Sequence, residues 1–258
     1  MKIKTKKVML GTLSAIAAVS MPTIAIVACG KTQDSKEASK PEKPTFDKKQ
    51  ISRKIGGMFR NPSQVLRIEV PTGITGVKPK EIIAATFDPE HEEMQQGDIK
   101  KVFDIMKPEE KKKIPWAFKE LNVNKAIITS SNVIEEYEKY VNHIVDFVKG
   151  VASIMEYVIV VGGQEKHITL GSIQTRSELE SYLNKRIETA VFKFEKYAPA
   201  YKKLLKTLED KGLKQGDKKA AAIESKWEKE NANLLKEIKK NKDDRIAQWM
   251  IFKNDFIK

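Results

Sequence analysis

The second half of the chain carries apolar heptad stripes, which limit its fold to helices that pack against one another. The first stripe runs in two registers, through Ile134, Val141, Val148 and Met155, and through Tyr137, Ile144, Val151 and Val158. The second stripe runs through Leu183, Ile187, Ala190, Phe194, Tyr197, Tyr201, Leu204 and Leu208. The third runs through Ala220, Ile223, Trp227, Leu234 and Ile238. Stripes of this spacing are buried when helices cover one another, so they predict an antiparallel bundle over residues 126–258.

Local signals predict where these helices begin. Ser131 or Asn132 is the expected N-cap of the first helix, and Glu135 stands at capping-box distance from Asn132. Thr175 and Glu178 form another capping box ahead of the second stripe. A β-hairpin is predicted to follow the first helix, with strands at 158–161 and 167–170 and a turn at the two intervening glycines.

Other signals predict where the helices bend or end. Pro199 lies inside the second stripe and predicts that the helix kinks or splits there, and Gly212 is the expected end of the stripe. The third helix is predicted to start near Asp217, to break over 241–244 and to resume beyond. The positions predicted to be buried in this bundle include Val141, Phe194 and Trp227.

The first half is less regular and is predicted to form a small α(+β) part over residues 51–125. Alternating residues at 65–70, stopped by Pro71, predict a short edge strand. A turn is predicted at 72–76, and helices are predicted at 80–87, between 89 and 106, and from Pro108. The fold class is therefore mainly α, with a helical bundle, an irregular N-terminal part and one hairpin.

Cys29 is the single cysteine of the chain and follows an N-terminal apolar run. Four lysines lie among the first seven residues, residues 8–28 carry no charge, and Ala28 precedes the cysteine. A positive start, an apolar middle and a small residue before the break are features of a secretory signal. The segment resembles the lipobox leaders of bacterial lipoproteins, most closely the lysine-rich, Cys-terminated leaders of cell-wall-less mollicutes.

The resemblance implies that a signal peptidase cuts between Ala28 and Cys29 once diacylglycerol is attached to the cysteine. Ile26 stands where leucine is commoner in that pattern. The body is then expected on the extracellular face of the cell membrane, anchored to the bilayer by lipid. The alternative is a retained transmembrane helix, since residues 8–28 are long enough to cross a bilayer. Both alternatives place the body outside the cytoplasm.

A polar segment joins the anchor to the body. Residues 29–50 contain two prolines and few apolar side chains, so they are predicted to form a disordered tether. The predicted order is therefore a signal peptide at 1–28, the lipidated cysteine and tether at 29–50, the irregular part at 51–125 and the bundle at 126–258. With one cysteine, the chain contains no disulfide framework and no cysteine-ligated metal centre.

The chain is basic, with a net charge of +13. The densest basic stretch of the last helix consists of Lys236, Lys239, Lys240 and Lys242, which are candidate polyanion contacts. Lysine outnumbers arginine, whereas phosphate recognition tends to use arginine forks. An ordinary solvated face is therefore favoured, and specific nucleic-acid binding is not expected.

No catalytic or cofactor motif is recognisable. His91 and Glu92 open like a zinc-protease motif, but the second histidine is missing, so helix capping is the better interpretation. His143 and His167 have no companion ligands in sequence, and Gly162-Gly163 reads as a turn, not a phosphate loop. The lysine-rich region also contains aromatic residues on which bases or sugars could stack, but at helical spacing they are interpreted as core residues. They are Tyr197, Tyr201, Trp227, Trp249 and Phe252.

These observations favour a membrane-anchored interaction protein over an enzyme, with no cofactor. The expected partner is a host macromolecule or a component of a surface assembly, besides the bilayer itself. Two alternatives remain: a surface enzyme that scavenges nutrients, such as a nuclease or peptidase, and a binding subunit of a transporter. The transporter subunit usually has alternating β and α segments, which this chain lacks.

Overall fold

The computed structural model of the chain describes residues 46–74, 76–87, 128–169 and 173–256. These residues form a mainly α-helical body with a three-stranded sheet. The lipobox, most of the predicted tether and the helices predicted between residues 89 and 125 lie outside the described residues.

The N-terminal part begins with a helix that the sequence did not predict. Helix α1 spans Lys48–Arg60 and starts within the predicted tether. Its N-cap is Asp47, whose carboxylate accepts hydrogen bonds from the backbone amides of the second and third residues after it, at 3.0 and 3.2 Å. The helix buries Ile55 and Phe59. A Cβ added at Gly56 would lie 2.6 Å from a carboxylate oxygen of Glu180, so this glycine lies at a close helix approach.

Strand β1 (Gln64–Glu69) and helix α2 (Pro79–Phe87) follow, and both agree with the sequence prediction. In the C-terminal part, helix α3 (Val133–Ala152) leads into the hairpin of β2 (Ile154–Val161) and β3 (Gln164–Thr169). The two glycines of its turn have φ of 58° and 79°, as a type I′ turn requires, so the hairpin prediction is confirmed.

The capping box predicted for α3 is wrong. Asn132 is the N-cap residue, but its side chain makes no capping bond to the helix. Its amide oxygen instead accepts a hydrogen bond from the backbone N–H of Thr129 at 2.7 Å. Glu135 pairs with Lys139 at 2.8 Å. The helix also ends before Met155 and Val158, so the last heptad positions lie on β2.

The second stripe forms two helices separated by a π-helical turn. Helix α4 spans Ile173–Phe192, the π segment spans Lys193–Tyr197, and α5 spans Ala198–Glu209 with a proline in its first turn. The predicted break at Pro199 is therefore confirmed. Because α4 begins two residues before Thr175, the capping box predicted there is wrong.

The end of α5 follows the prediction as well. Gly212 has a φ of 64°, and the backbone N–H of Leu213 donates to the carbonyl of Leu208 at 2.9 Å. These are the marks of a glycine-terminated helix end, in which the left-handed residue lets the chain satisfy the last carbonyls.

The third stripe breaks at a different place from the one predicted. Helix α6 spans Ala221–Glu230 and α7 spans Ala232–Phe256, so the break lies at Asn231 and residues 241–244 are helical. The Asn231 side chain donates to the carbonyl of Trp227 at 2.8 Å, which ends α6. Residues 241–244 are polar but contain no proline or glycine, and Asp244 pairs with Lys185 of α4 at 3.6 Å.

The sheet joins the two halves of the chain. Its order is β1-β2-β3, with β1 parallel to β2 and β2 antiparallel to β3. The inward residues of β1 and β2 enter one large core with α1, α2, α3, α4 and the C-terminal half of α7. The described residues on both sides of the predicted boundary at 125/126 therefore share one core.

A second core lies at the other end of the long helices. It is built from the start of α3, the π segment, α5 and Ala220, with α6 and the N-terminal half of α7 packed against it. Phe194 of the π segment and Tyr140 of α3 contact both cores. The π turn thus lies where the second stripe passes from the first core to the second.

The predicted buried positions have different outcomes. Val141 is fully buried, as predicted. Phe194 and Trp227 are only half-buried, so the prediction of full burial is wrong for them. Phe194 lies at the junction of the two cores, and Trp227 lies on α6, which has no buried residue.

Within the described ranges, no helix is both long enough and apolar enough to span a bilayer.

Candidate functional site

One face of the sheet is in the core and the other is open to solvent. The inward residues include Leu66, Ile68, Tyr157 and Ile159, each at most 1% exposed. Since side chains alternate along a strand and paired residues point to the same side, the strand registers define the opposite face. We call it the outer sheet face; it consists of Val65, Arg67, Glu69, Glu156, Val158, Val160, Glu165, His167 and Thr169.

A charge network crosses the outer sheet face. Arg67 of β1 pairs with Glu165 of β3, with 2.6 Å between Nη1 and Oε1, and with Glu69 at 3.3 Å. His167 Nδ1 lies 2.6 Å from a carboxylate oxygen of Glu156, and its Nε2 lies 3.4 Å from one of Glu165. These contacts link all three strands.

The network also explains a buried side chain on the outer sheet face. Val158 is only 6% exposed, although it points outward. The strand registers place Arg67 beside it on one strand and His167 beside it on the other. The charged side chains therefore cover a valine of the central strand.

The network shifts the pKa values of its members. The carboxylate of Glu156, and secondarily that of Glu165, raises the pKa of His167 above 6.5. The Arg67 guanidinium holds the pKa of Glu165 below 4.5. Both groups are at the surface, where water weakens ion pairs. The network therefore consists of solvent-exposed charges of both signs.

An apolar margin and a depression adjoin the charges. Val65 and Met155 are 49% and 41% exposed, although both are large apolar residues. The β1–β2 register shifts between Gln64 and Val65, and Met155 lies in this irregularity. Met155 lines a shallow, open depression of about 590 Å³ at the end of α1. Its other lining residues are Phe59, Arg60, Asn61, Pro62, Ser63 and Arg176.

The four candidate polyanion contacts lie together on α7, away from the sheet. Lys236, Lys239, Lys240 and Lys242 are all exposed. None of them takes part in the ion pairs found among the described residues.

The structure does not bring the other sequence candidates together into a site. His143 is half-buried on α3, and Gly162-Gly163 is the hairpin turn. Ala28, Cys29 and His91 lie outside the described residues. Within the part of the chain that the structure describes, no three metal-ligating side chains converge.

Four of the five aromatic residues of the basic region are core residues, as interpreted from the sequence, and the fifth, Trp227, packs half-buried against the second core. Tyr197 and Tyr201 stack at 5.3 Å between ring centroids within the second core. Trp249 and Phe252 are fully buried in the first. Burial raises the pKa of Tyr137 and of Tyr197 well above their usual range. Rings held in this way are not a platform for bases or sugars.

Sequence reasoning missed the charge network. It treated His167 as isolated, because Glu156 and Arg67 are far from it in sequence. The usable signal was the predicted hairpin, whose two-residue turn places Glu156 near His167 on the same face. The contact with Arg67 depends on the parallel β1–β2 pairing, which no local signal predicted.

Comparisons with protein-family models, with curated proteins and with solved structures found no match to this chain.

Proposed function

We propose that this chain is an extracellular lipoprotein, anchored through diacylglyceryl-Cys29, whose body binds a macromolecular partner through the outer sheet face. The leader ending in Ala28-Cys29 supports the anchor. One observation carries the binding role: a sheet face with charges of both signs and the exposed Val65, bordered by the exposed Met155.

The composition of this face fits a protein partner. Arg67, Glu165 and His167 offer ionic contacts of both signs, whereas a polyanion would favour a uniformly positive surface. Val65 and Met155 add apolar area beside them. Arginine and methionine are both enriched at protein interfaces relative to the rest of the protein surface.

The body shows where the proposed tether would join it. In this proposal the long helices form an antiparallel bundle, and the sheet closes one side of the first core. Residues 29–45 lead from the lipid to Phe46, which packs edge-on against Phe194 at 5.3 Å. The tether thus joins the body at the π segment.

The test is a capture experiment with purified mature chain as bait, against membrane and host extracts. We expect one partner to bind saturably, and Arg67→Ala combined with Met155→Lys to abolish the capture. Lys226→Gln combined with Lys229→Gln, on exposed positions of α6, is the matched control and should leave it unchanged. Capture that survives the first pair, or is lost equally with the second, would contradict the assignment to this face.

A further inference from the structure

The solvent side of α7 forms one continuous stripe. Successive residues of an α-helix are rotated by about 100° around its axis. Viewed along α7, four residues therefore lie within about 60° of the direction of Lys236: Lys239, Lys240, Met250 and Ile251. All of them are exposed, as are the other residues of the same sector. We call this surface the α7 stripe; it consists of Lys236, Lys239, Lys240, Asp243, Ala247, Met250, Ile251 and Asn254.

The two ends of the α7 stripe differ in chemistry. The N-terminal end carries three lysines that form no ion pair, and Asp243 is its single acidic member. The C-terminal end carries Met250 and Ile251, which are 38% and 46% exposed. Among the described residues, these are two of the four large apolar side chains that are exposed.

The opposite side of α7 is held firmly by the body. Its N-terminal half packs through Leu234, Leu235 and Ile238 against the second core, and its C-terminal half inserts Trp249 and Phe252 into the first. The α7 stripe is therefore fixed in orientation. Ammonium groups and apolar side chains reach outward from the same rigid surface.

The proposed tether is short enough to keep this surface within reach of the membrane. Phe46 is 17 residues after Cys29, so the body begins within about 60 Å of the anchored sulfur even for a fully extended chain. Phe46 packs against the π segment, and α7 contacts the same segment.

We propose that the α7 stripe docks on an anionic lipid surface, with its lysines at the headgroups and Met250 and Ile251 inserted shallowly beside them. The orienting role of the tether rests on the proposed anchoring at Cys29, whereas the affinity of the stripe for lipid does not. Unpaired lysines complement anionic headgroups, and exposed apolar side chains gain by leaving water at the interface. For an anchored body, a weak contact suffices because the tether keeps the local concentration of the bilayer high.

A lipid surface explains the stripe better than a nucleic acid or a polysaccharide. Soluble polyanions would use the lysines but would leave Met250 and Ile251 in water. They are also bound preferentially by arginine forks, and the α7 stripe contains no arginine.

The test uses the mature chain, residues 29–258, with Cys29→Ser, so that no lipid is attached. A cysteine introduced by Met250→Cys is then the only one in the chain and takes an environment-sensitive fluorophore. With vesicles of phosphatidylglycerol and phosphatidylcholine, its emission should shift to the blue. It should not shift with phosphatidylcholine alone, or when the label is placed on α6 by Glu228→Cys.

Charge and apolar variants separate the contributions. Changing Lys236, Lys239 and Lys240 together to glutamine should lower partitioning into the anionic vesicles about tenfold or more. The matched control changes three exposed lysines of α5 to glutamine and should have a much smaller effect: Lys202, Lys203 and Lys206. Met250→Gln with Ile251→Gln should weaken vesicle binding without changing retention on heparin. Circular dichroism should be the same for all variants, since every changed side chain is exposed.

Three results would overturn the proposal. One is equal losses for the two lysine triples, which would indicate attraction by net charge alone. Another is a label at position 250 that stays in water on the anionic vesicles. The third is tighter binding to heparin or DNA than to vesicles at about 0.15 M salt, independent of Met250 and Ile251. None of these results bears on whether Cys29 is acylated.

Discussion

His167 illustrates how single residues acquire roles on the outer sheet face. Its ring lies between Glu156 and Glu165, and Arg67 holds the second of these carboxylates. The raised pKa of His167 means that its contribution to stability is complete below 6.5 and is lost as pH rises through the raised value. The lowered pKa of Glu165 means that its contribution is lost as pH falls through a value below 4.5. Between these two values His167 and Glu165 are both charged.

We predict that His167 titrates above 6.5 in the folded chain. Glu156→Gln removes the carboxylate nearest to the ring and should move the pKa down toward 6.5. The measurement is an NMR titration of the imidazole carbon protons. Lys166→Gln, an exposed change on the same strand that leaves the carboxylates in place, is the control. An unchanged His167 pKa in Glu156→Gln would contradict the geometry of the network.

Trp249 and Trp227 differ in burial and should therefore differ in how much each contributes to the free energy of unfolding. Trp249 is fully buried, with its ring 5.2 Å from Tyr182 and 6.1 Å from Phe87 between centroids. Trp227 is half-buried and donates one hydrogen bond, at 3.0 Å, to the carbonyl of Ala200.

We predict that Trp249→Ala lowers the free energy of unfolding by about 3–5 kcal/mol, since it opens a cavity in a closed core. Trp227→Ala should cost about 1–2 kcal/mol, from partial packing and one hydrogen bond. Urea unfolding followed by far-ultraviolet circular dichroism measures both. Equal losses, or the reverse order, would show that the assignment of these residues to the two cores is mistaken.

At the scale of elements, α4 holds the ends of two other helices through arginines. Arg176 donates to the carbonyl of Phe59 at the end of α1, at 2.6 Å. Arg186 donates to the carbonyl of Phe87 at the end of α2, at 3.4 Å, and its guanidinium lies 4.3 Å from the centre of the Phe147 ring. A cation at a helix C-terminus satisfies free carbonyls and opposes the negative end of the helix dipole.

We predict that Arg176→Met destabilises the fold by about 1–3 kcal/mol, the range for a hydrogen bond to a charged group. Arg176→Lys should recover part of this, because it keeps the charge but not the planar donor. Arg53→Met, at an exposed position of α1, is the control and should change stability little. The midpoints of urea unfolding compare the three variants. A loss of stability in Arg176→Met no larger than that of the control would contradict a role for Arg176 in holding the end of α1.

Elements with strong local signals were the predictable ones. The hairpin was readable because two glycines separate β-branched residues, and the break in the second stripe because proline cannot continue a helix. Helix α1 was missed, since Gly56 and Gly57 lower its helix propensity. Two local signals were available: Asp47 as an N-cap, and apolar residues at helical spacing, Ile51, Ile55, Met58 and Phe59.

At the scale of the whole molecule, the decisive contact is the parallel pairing of β1 with β2. It brings residues 64–69 beside residues 154–160 and merges the two predicted parts into one core. A parallel pairing needs a long crossover and leaves no turn signature. The contact of Arg67 with Glu165 depends on this pairing and was hidden from the sequence for the same reason.

We predict that residues 126–258 do not fold on their own. Without β1, α1 and α2, the inner faces of β2 and α4 would lose the apolar side chains that cover them, including Leu66, Ile68 and Phe87. The intact mature chain should give a native near-ultraviolet circular dichroism signal and lose it cooperatively on unfolding. The fragment should lack that signal and bind a hydrophobic dye. A fragment with native-like signal and cooperative unfolding would restore the boundary at 125/126.

We propose that this body works outside the cell, attached to the membrane through the sulfur of Cys29. Incorporation of labelled fatty acid into the chain, compared with its Cys29→Ser variant, tests that claim most directly. Without the Cys29 thiol no thioether can form, so the variant should take up no label and should accumulate as the uncut precursor. A variant that still incorporates lipid and matures to the same size would contradict the account.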